Sequence, residues 1–388
     1  MDRASDRASA TPHYLDERTG DTYPLTGPRW RADNGNPLSV TPLPGITRQD
    51  VDTTVRSLWR YRAALPVDVP HPVSLGEGRT PLIEGEWDDV PVAFKAEWFG
   101  PTGSFKDRGT TVMVSFLAQQ GITDVIEDSS GNGGASVSAY CAAAGIRATI
   151  LVPAATSPAK ILQSRAYGAT VELVPGDREA TAAEALRRSA VTGYASHNWH
   201  PLFLQGTKTL AYEIWEDLGF EAPDQVVTVA GAGSTVLGCA LGFGELLAAG
   251  QIERLPRLLV AQPANCAPLH AAFQAGAEQA VPGRWAPTIA EGTAIERPVR
   301  LPEVLRAIRR SDGDTAAVPE ADIRTAVRRL AARGLYVEPT SATAAAAIGT
   351  FVARGLIRPG DRTVVVLTGS GLKAPAALAD VLDGNDAP

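Results

Sequence analysis

The feature that most limits the possible folds is an alternation of short apolar runs with longer helix-like stretches between residues 92 and 367. Alternation at this spacing predicts parallel β-sheets covered by helices, the α/β class. Such sheets bind ligands at the carboxyl ends of their strands, so a functional site is expected in the loops that follow strands. We predict strands at 92–95, 124–127, 148–152, 170–174, 194–196, 225–230, 257–262 and 363–367, and helices at 109–120, 134–144, 158–167, 179–191, 206–218, 236–249, 320–333 and 341–354.

The chain begins with a less regular part. Residues 1–12 contain two Asp-Arg-Ala-Ser repeats and are predicted to be a disordered tail. Turn-forming residues between 14 and 40 favour short irregular strands. A helix is predicted at 51–64 and a loop at 74–83.

Composition excludes several classes of protein. The net charge of −7, from 36 basic and 43 acidic residues, argues against a nucleic-acid or anionic-membrane surface. No stretch approaches the ~20 apolar residues of a membrane span, and the N-terminus has no apolar signal core. Cys141, Cys239 and Cys266 lack zinc-site spacing and favour buried free thiols in a reducing compartment. A cytoplasmic protein without a metal site is therefore expected.

Lys106 lies at a predicted loop-to-helix junction, in the run Pro101-Thr102-Gly103-Ser104-Phe105-Lys106-Asp107-Arg108-Gly109. Loss of solvation and nearby fixed dipoles at such a junction lower the pKa of an amine. A neutral amine is what an imine-forming lysine requires. Because most lysines are solvated surface charges, this run carries weight only together with other loops.

A second loop, Asp128 to Ser136, joins an apolar strand to a helix of small residues. Its glycines let backbone amides approach an anion, and the helix N-terminus adds partial positive charge. A carboxylate or a phosphate fits here, and Asn132 could donate to a phenolic oxygen. The alternative is a serine-capped helix start without a ligand.

A third loop, Gly231-Ala232-Gly233-Ser234-Thr235, forms another nest of amides suited to a phosphate. It also matches a dinucleotide-binding fingerprint in part, but Val236 stands where that fingerprint requires glycine. The late position of the loop in the chain counts further against a dinucleotide fold.

The fourth loop, Thr368 to Lys373, follows the last predicted strand. A hydroxyl such as that of Thr368 can hydrogen-bond a pyridine nitrogen without stabilising its protonated form, which suits elimination and replacement chemistry. Alternatively Thr368 caps the next helix. Lys373 is interpreted as a surface charge. Together the four loops predict a site for pyridoxal phosphate.

The sequence resembles the fold-type-II pyridoxal phosphate enzymes, and within them the threonine synthase branch. The resemblance runs from about Tyr14 to the C-terminal helix and is carried by 74–82, the Lys106 run, 129–136 and 368–373. It implies a two-domain fold like that of the tryptophan synthase β subunit, with the cofactor between parallel-rich sheets. The implied domains are a clip at 13–73, a large cofactor-binding domain at 74–108 and 197–388, and a small mobile domain at 109–196.

The resemblance also implies roles for individual residues. Lys106 would form the imine with pyridoxal phosphate and move protons. Phe105 would lie against the cofactor, or would simply pack in the core. Asn132 would contact the 3′-oxygen of the cofactor, and Thr368 would contact its ring nitrogen. The cofactor phosphate would be held by Gly231, Ala232, Gly233, Ser234 and Thr235. The implied substrate contacts are Ser129, Ser130, Gly131, Asn132, Lys95 and His200.

Several positions depart from the threonine synthase pattern. His200 replaces an asparagine that helps to bind the substrate phosphate in that family, and Phe203 replaces a basic residue. His200 could contact an anion, act as an acid or base, or cap a turn. Arg178 is interpreted as a solvated surface arginine, with a contact to the substrate as the alternative. His197 is interpreted as structural or exposed, and 288–294 resembles the serine/threonine dehydratase branch.

The N-terminal segment lacks the thiols of the zinc ribbon that many relatives carry. Asp33 to Leu38 keeps the ribbon's turn, so a clip or a dimer contact without zinc is expected.

The leading functional expectation is conversion of O-phospho-L-homoserine and water to L-threonine and phosphate by a homodimer. The alternative is a dehydratase, or a β- or γ-replacement enzyme of specialised metabolism, acting on another amino acid. A non-catalytic amino-acid sensor and a dinucleotide-dependent oxidoreductase are the remaining, weaker hypotheses.

Overall fold

The structure, a computed structural model, describes residues 11–384. The predicted tail therefore lies almost wholly outside the described residues. The strands are β1 His13–Leu15, β2 Thr22–Pro24, β3 Ser39–Val40, β4 Leu82–Trp87, β5 Val90–Ala96, β6 Asp124–Glu127, β7 Arg147–Pro153, β8 Thr170–Val174, β9 Gly193–Tyr194, β10 Gln225–Val229, β11 Arg257–Pro263, β12 Asp314–Val318 and β13 Thr363–Leu367.

Thirteen α-helices connect these strands within the described residues. They are α1 Lys106–Gln119, α2 Asn132–Ala144, α3 Pro158–Ala166, α4 Arg178–Arg188, α5 Pro201–Thr207, α6 Thr209–Asp217, α7 Ser234–Ala248, α8 Pro268–Gln274, α9 Leu301–Arg310, α10 Glu320–Ala331, α11 Pro339–Ala346, α12 Ile348–Ala353 and α13 Pro375–Leu382. None of the described helices is long and apolar enough to span a membrane.

Two parallel-rich sheets organise the chain, which confirms the predicted α/β class. The larger sheet has six strands in the order β12-β11-β10-β13-β5-β4, and only β4 runs antiparallel to its neighbour. The smaller sheet has four parallel strands in the order β8-β7-β6-β9. Since β10, β13 and β5 are parallel neighbours, the loops that follow them leave the same edge of the sheet.

Apolar strands account for the cores. All five residues of β10 and of β13 are buried, as expected for central strands covered by helices on both faces. Separate clusters of buried side chains fill the two faces of the large sheet, and a third cluster lies between the small sheet and helices α1 and α2.

The N-terminal segment forms a small sheet of β2, β1 and β3, as its turn-rich sequence predicts. Its centre is the buried carboxylate of Asp16, which accepts hydrogen bonds from Asn34 Nδ2 at 2.8 Å and Asn36 Nδ2 at 2.9 Å. Arg18 ties the segment to α9 through Glu303 at 2.8 Å. Polar hydrogen bonds thus connect the turns of this segment. No cluster of three or more metal-ligand side chains occurs between residues 11 and 384.

Several predicted elements were wrong. The helix at 51–64 is reduced to a kinked 3-10 helix, Leu58–Ala64, because Ser57 caps it by accepting from the Trp59 amide. The helix at 206–218 begins earlier, at Pro201, and breaks at Lys208. The helix at 341–354 breaks at Ala347.

Part of the chain between 74 and 83 belongs to a strand, because β4 begins at Leu82 and pairs with β5. The sequence prediction also lacked β12, α8 and α9.

Candidate active site

Lys106 is the first residue of α1, at the edge where the loops of the large sheet meet. The preceding loop turns at Gly103, whose φ of +85° favours glycine. The Phe105 amide donates to the Thr368 carbonyl oxygen at 2.9 Å, which joins this loop to the one that follows β13. The backbone therefore brings the first and fourth glycine-containing loops into direct contact.

The surroundings of Lys106 disfavour its charged form. Burial lowers the pKa of this amine to about 7; Glu127 and Glu338 act to raise it, and Arg178 acts to lower it further. Its Nζ lies 4.4 Å from the centre of the Phe105 ring and 5.8 Å from that of Phe203. A substantial fraction of the amine is neutral at neutral pH, which is the form that attacks a carbonyl.

A buried ion network anchors α1 directly below Lys106. Arg108 donates to Glu97 Oε2 at 2.7 Å and to Glu213 Oε1 at 2.8 Å. Burial alone would lower the pKa of the Arg108 guanidinium, but these carboxylates outweigh burial and raise it. Burial likewise opposes ionisation of Glu213, yet its cationic partners lower the pKa of that carboxyl. The first turn of α1 is thereby fixed to Glu97, the residue that follows strand β5, and to helix α6.

Lys95 belongs to this network, which corrects its predicted role in substrate binding. Its Nζ donates to the Thr80 carbonyl oxygen at 2.6 Å, Glu213 Oε1 at 2.7 Å and Asp217 Oδ2 at 2.6 Å. Because the side chain is fully buried and its three ammonium hydrogens have acceptors, none is left for a substrate.

The helices that follow the first three predicted site loops, namely α1, α2 and α7, begin with no side-chain cap. The amides of an uncapped first turn lack intrahelical partners and attract anions. Ser129, Ser130 and Asn132 are only partly buried, so the loop before α2 remains open.

The loop before α7 forms a tight cradle. Gly233 has a φ of +88°, and a Cβ there would lie 2.3 Å from Val304 Cγ2. A Cβ on Gly231 would lie 3.0 Å from the Gly292 carbonyl oxygen. Ala232 lies between these two glycines, and Ser234 and Thr235 are buried at the start of α7. This arrangement fits the predicted phosphate loop.

Thr368 is buried beside a second hydroxyl. Its Oγ1 lies 3.0 Å from Ser341 Oγ, and Ser341 also accepts from the Gly369 amide at 2.7 Å. The Thr368 hydroxyl is therefore held in place within the loop that touches Phe105.

Glu338 is a feature of the site that the sequence prediction missed. Asn132 Nδ2 donates to its two carboxyl oxygens at 3.1 and 3.3 Å, and the Glu338 amide donates to Gly369 O at 3.1 Å. Burial raises the pKa of the Glu338 carboxyl; Asn132, Lys373 and Lys106 act in the opposite direction. Asn132, at the start of α2, is thus linked through Glu338 to the fourth loop.

Lys373 was wrongly interpreted as a surface charge. Its Nζ donates to the Thr102 carbonyl oxygen at 3.1 Å and also to Gln163 Oε1, and burial lowers its pKa. It links the fourth loop to the lysine loop and to α3.

His200 caps helix α5, which was one of its three interpretations. Its Nδ1 accepts from the Leu202 amide at 3.3 Å. Burial, with a smaller effect of Arg300, lowers the pKa of this imidazole to about 3, so it carries no positive charge at neutral pH. Phe203 is buried against α1, where a Cβ on Gly109 would lie 2.5 Å from its ring. Neither position supplies a cation for a substrate anion.

A family model described as pyridoxal-phosphate dependent enzyme matches residues 73–369. The chain belongs to this pyridoxal-phosphate-dependent family. It is 36% identical to a threonine synthase of Methanocaldococcus jannaschii over 330 residues, covering 82% of this chain and 81% of that one. It is 33% identical to a threonine synthase of Mycobacterium tuberculosis over 332 residues, covering 83% and 89%.

Solved structures of other enzymes have the same fold as this chain. A fungal L-serine ammonia-lyase from Rhizomucor miehei has a TM-score of 0.68 at 23% identity, covering 79% of this chain and 98% of that one. A serine racemase of maize has a TM-score of 0.68 at 21% identity, covering 85% and 98%. These likenesses confirm the fold-type-II architecture. The chain is a lyase that depends on pyridoxal phosphate.

The residues present fit this cofactor. Gly231 to Thr235 and the uncapped N-terminus of α7 would hold its phosphate, and Lys106 offers the amine. The held hydroxyl of Thr368 would meet the ring nitrogen, and Asn132 would donate to a ring oxygen. When bound, the cofactor supplies an electron sink for negative charge at the substrate's α-carbon.

Proposed function

We propose that this chain is a threonine-synthase-like lyase that converts O-phospho-L-homoserine and water to L-threonine and phosphate. The observation that carries the proposal is the partly neutral amine of Lys106 beside the contact between its own loop and the loop that follows β13. Threonine synthases that are 33–36% identical over most of the chain support this substrate. We further propose that the protein works as a homodimer in the cytoplasm.

The proposal assigns a role in the reaction to each residue of the site. Lys106 accepts the α-proton of the substrate once its amine is free, and returns a proton later. Ser129, Ser130 and the amide of Gly131 bind the α-carboxylate. Asn132 also contacts this carboxylate and orients the ring. Phe105 and Phe203 exclude water beside Lys106. We propose that the small sheet and its helices, residues 109–196, close on the substrate.

We propose Arg178 as the cation that binds the substrate phosphate. It is exposed at the start of α4, and among the described residues no side chain forms an ion pair with it. Its charge lowers the pKa of both Lys106 and His197, so it acts electrostatically on the residues of the candidate site. In this proposal Arg178 takes over the role of the basic residue that Phe203 replaces.

The direct experiment is to incubate the cofactor-loaded enzyme with O-phospho-L-homoserine and to measure phosphate and threonine together. Equal amounts of both products are expected, and Lys106→Ala should abolish both. The proposal is rejected if phosphate is not released while L-serine or L-threonine gives a keto acid.

Arg178→Gln provides a second test. We expect the half-saturating concentration of O-phospho-L-homoserine to rise about tenfold, the value of one charge-assisted hydrogen bond. Inhibition by L-homoserine, which has no phosphate, should stay unchanged. Equal weakening of both ligands would contradict the role of Arg178.

The buried, neutral His200 and the apolar Phe203 favour a second candidate function, a dehydratase acting on a hydroxy amino acid. A small neutral leaving group needs no phosphate pocket. This candidate predicts keto-acid formation from L-serine or L-threonine that does not depend on Arg178.

A further inference from the structure

A buried acid–imidazole pair lies beneath the loop proposed to bind the substrate carboxylate. Glu127 is the last residue of β6, and His197 follows β9, the neighbouring strand. His197 Nδ1 and Glu127 Oε1 are 2.5 Å apart. The Glu127 side chain is fully buried and that of His197 is 5% exposed. The sequence had placed His197 among structural or exposed residues, and it is not exposed.

The pair supports the carboxylate loop directly. A Cβ on Gly133 would lie 2.6 Å from His197 Nδ1 and 3.0 Å from Ser129 Oγ. The imidazole therefore occupies the space below the first turn of α2. Glu127 precedes Ser129 by only two positions in the chain.

The electrostatics favour a pair without net charge. Burial, with help from Asp128, raises the pKa of the Glu127 carboxyl well above its usual value, although Lys106, the His197 backbone amide and Arg178 act to lower it. Burial also lowers the pKa of His197, and Lys106 and Arg178 lower it further. Both shifts favour a neutral carboxylic acid beside a neutral imidazole, with one proton between them. The other carboxyl oxygen, Oε2, is buried and has no partner among the described residues.

The charge state of this pair affects two neighbours. An ionised Glu127 would repel a substrate carboxylate bound at Ser129 and Gly131, because their loop begins just beyond it. It would also raise the pKa of Lys106 and so reduce the neutral fraction of that amine. Burial keeps the Glu127 carboxyl protonated, and the neutral His197 imidazole accepts its proton and fills the space that water would need to solvate the ionised form.

We propose that Glu127 and His197 are a positioning pair that supports the carboxylate loop through Gly133 and keeps negative charge away from the substrate carboxylate and Lys106. This inference rests on the proposed function only in requiring an α-amino acid as substrate. It is independent of the leaving group.

The test compares three variants of the loaded enzyme, using L-serine as the probe and the visible absorption band of the cofactor as the readout. For His197→Ala, we expect the dissociation constant of L-serine to rise about tenfold, because water that enters the space left by the imidazole can solvate an ionised Glu127. Glu127→Gln keeps the shape and can donate to Nδ1, so its constant should change by less than about threefold. In Glu127→Gln/His197→Ala, removal of the charge should restore most of the lost affinity.

A second readout needs neither cofactor nor turnover. In the cofactor-free protein, acetylation of Lys106 is followed by peptide mass spectrometry as a function of pH. The midpoint pH of this reaction should be higher in His197→Ala than in the wild type, and the double variant should have the wild-type midpoint. L-Serinamide, which has no carboxylate, should bind equally to all variants. His270→Asn serves as a control for loss of a histidine elsewhere.

The proposal is overturned if the double variant binds L-serine no better than His197→Ala, or if Glu127→Gln is as damaging as His197→Ala. Either result would mean that the pair acts only by filling space. Because L-serine binding and Lys106 acetylation do not require phosphohomoserine turnover, failure here is distinct from failure of the proposed function.

Discussion

Replacing Lys95 by methionine distinguishes a structural role from a role in substrate binding. The ammonium group has three acceptors at 2.6, 2.7 and 2.6 Å and no exposed surface. Methionine has a similar length but donates no hydrogen bond, so Glu213 loses one of its two cationic partners. Breaking a buried ion pair by removing one partner costs about 3–5 kcal/mol. We expect the free energy of unfolding to fall by this amount.

The assay is urea unfolding followed by tryptophan fluorescence, together with the half-saturating substrate concentration measured on folded protein. Arg147→Met is the matched control, because Arg147 forms an exposed ion pair with Asp124 at 2.5 Å. Exposed pairs of this kind contribute about 0–1 kcal/mol. If Lys95→Met unfolded at the wild-type urea concentration but bound substrate far more weakly, our assignment of Lys95 to the anchoring network would be refuted.

Three further predictions concern the cradle, the amine and the N-terminal segment. Gly233→Ala should abolish tight cofactor binding while the fold is kept, because the alanine Cβ would lie 2.3 Å from a side-chain carbon of Val304. Equilibrium dialysis with pyridoxal phosphate measures the affinity, and an unchanged affinity would contradict the prediction. In the cofactor-free protein, acetylation of Lys106 should follow a pKa of about 7, and a midpoint near the usual lysine value would contradict the burial argument. Burial acts to raise the pKa of Asp16, but hydrogen bonds from Asn34 and Asn36 outweigh burial and lower the pKa from 3.8 to about 2. The contribution of Asp16 to stability is therefore full above pH 3.8 and is lost as the pH falls through about 2. Urea unfolding of Asp16→Asn should show a loss of about 1–2 kcal/mol at pH 7 that narrows between pH 4 and 2, and a loss independent of pH would be the contrary result.

The central strands and the loops after them were predictable because their signals are local. β10 and β13 are runs of β-branched residues buried on both faces, and glycines mark the turns that follow them. β4 was missed because Glu84, Gly85 and Glu86 interrupt its apolar pattern at the edge of the sheet. Edge strands have one exposed side and show weaker periodicity.

The side-chain partners in the site depend on contacts between distant segments, which local patterns do not encode. Glu338 precedes Pro339 and could be taken for an ordinary residue before a helix, yet it meets Asn132, 206 positions away. His197 and Glu127 are 70 positions apart and meet only because β6 and β9 are neighbours. For Lys95, the resemblance implied a basic residue at the right place, but its three acceptors become visible only in the folded chain.

The account depends most on Lys106 as the residue that carries the cofactor. The direct measurement is reduction of the loaded enzyme with borohydride, followed by peptide mapping. We expect the reduced cofactor to be attached to the peptide that contains Lys106, and Lys106→Ala to carry no covalent cofactor. Attachment at another of the chain's lysines, or a fully active Lys106→Ala variant, would contradict the account.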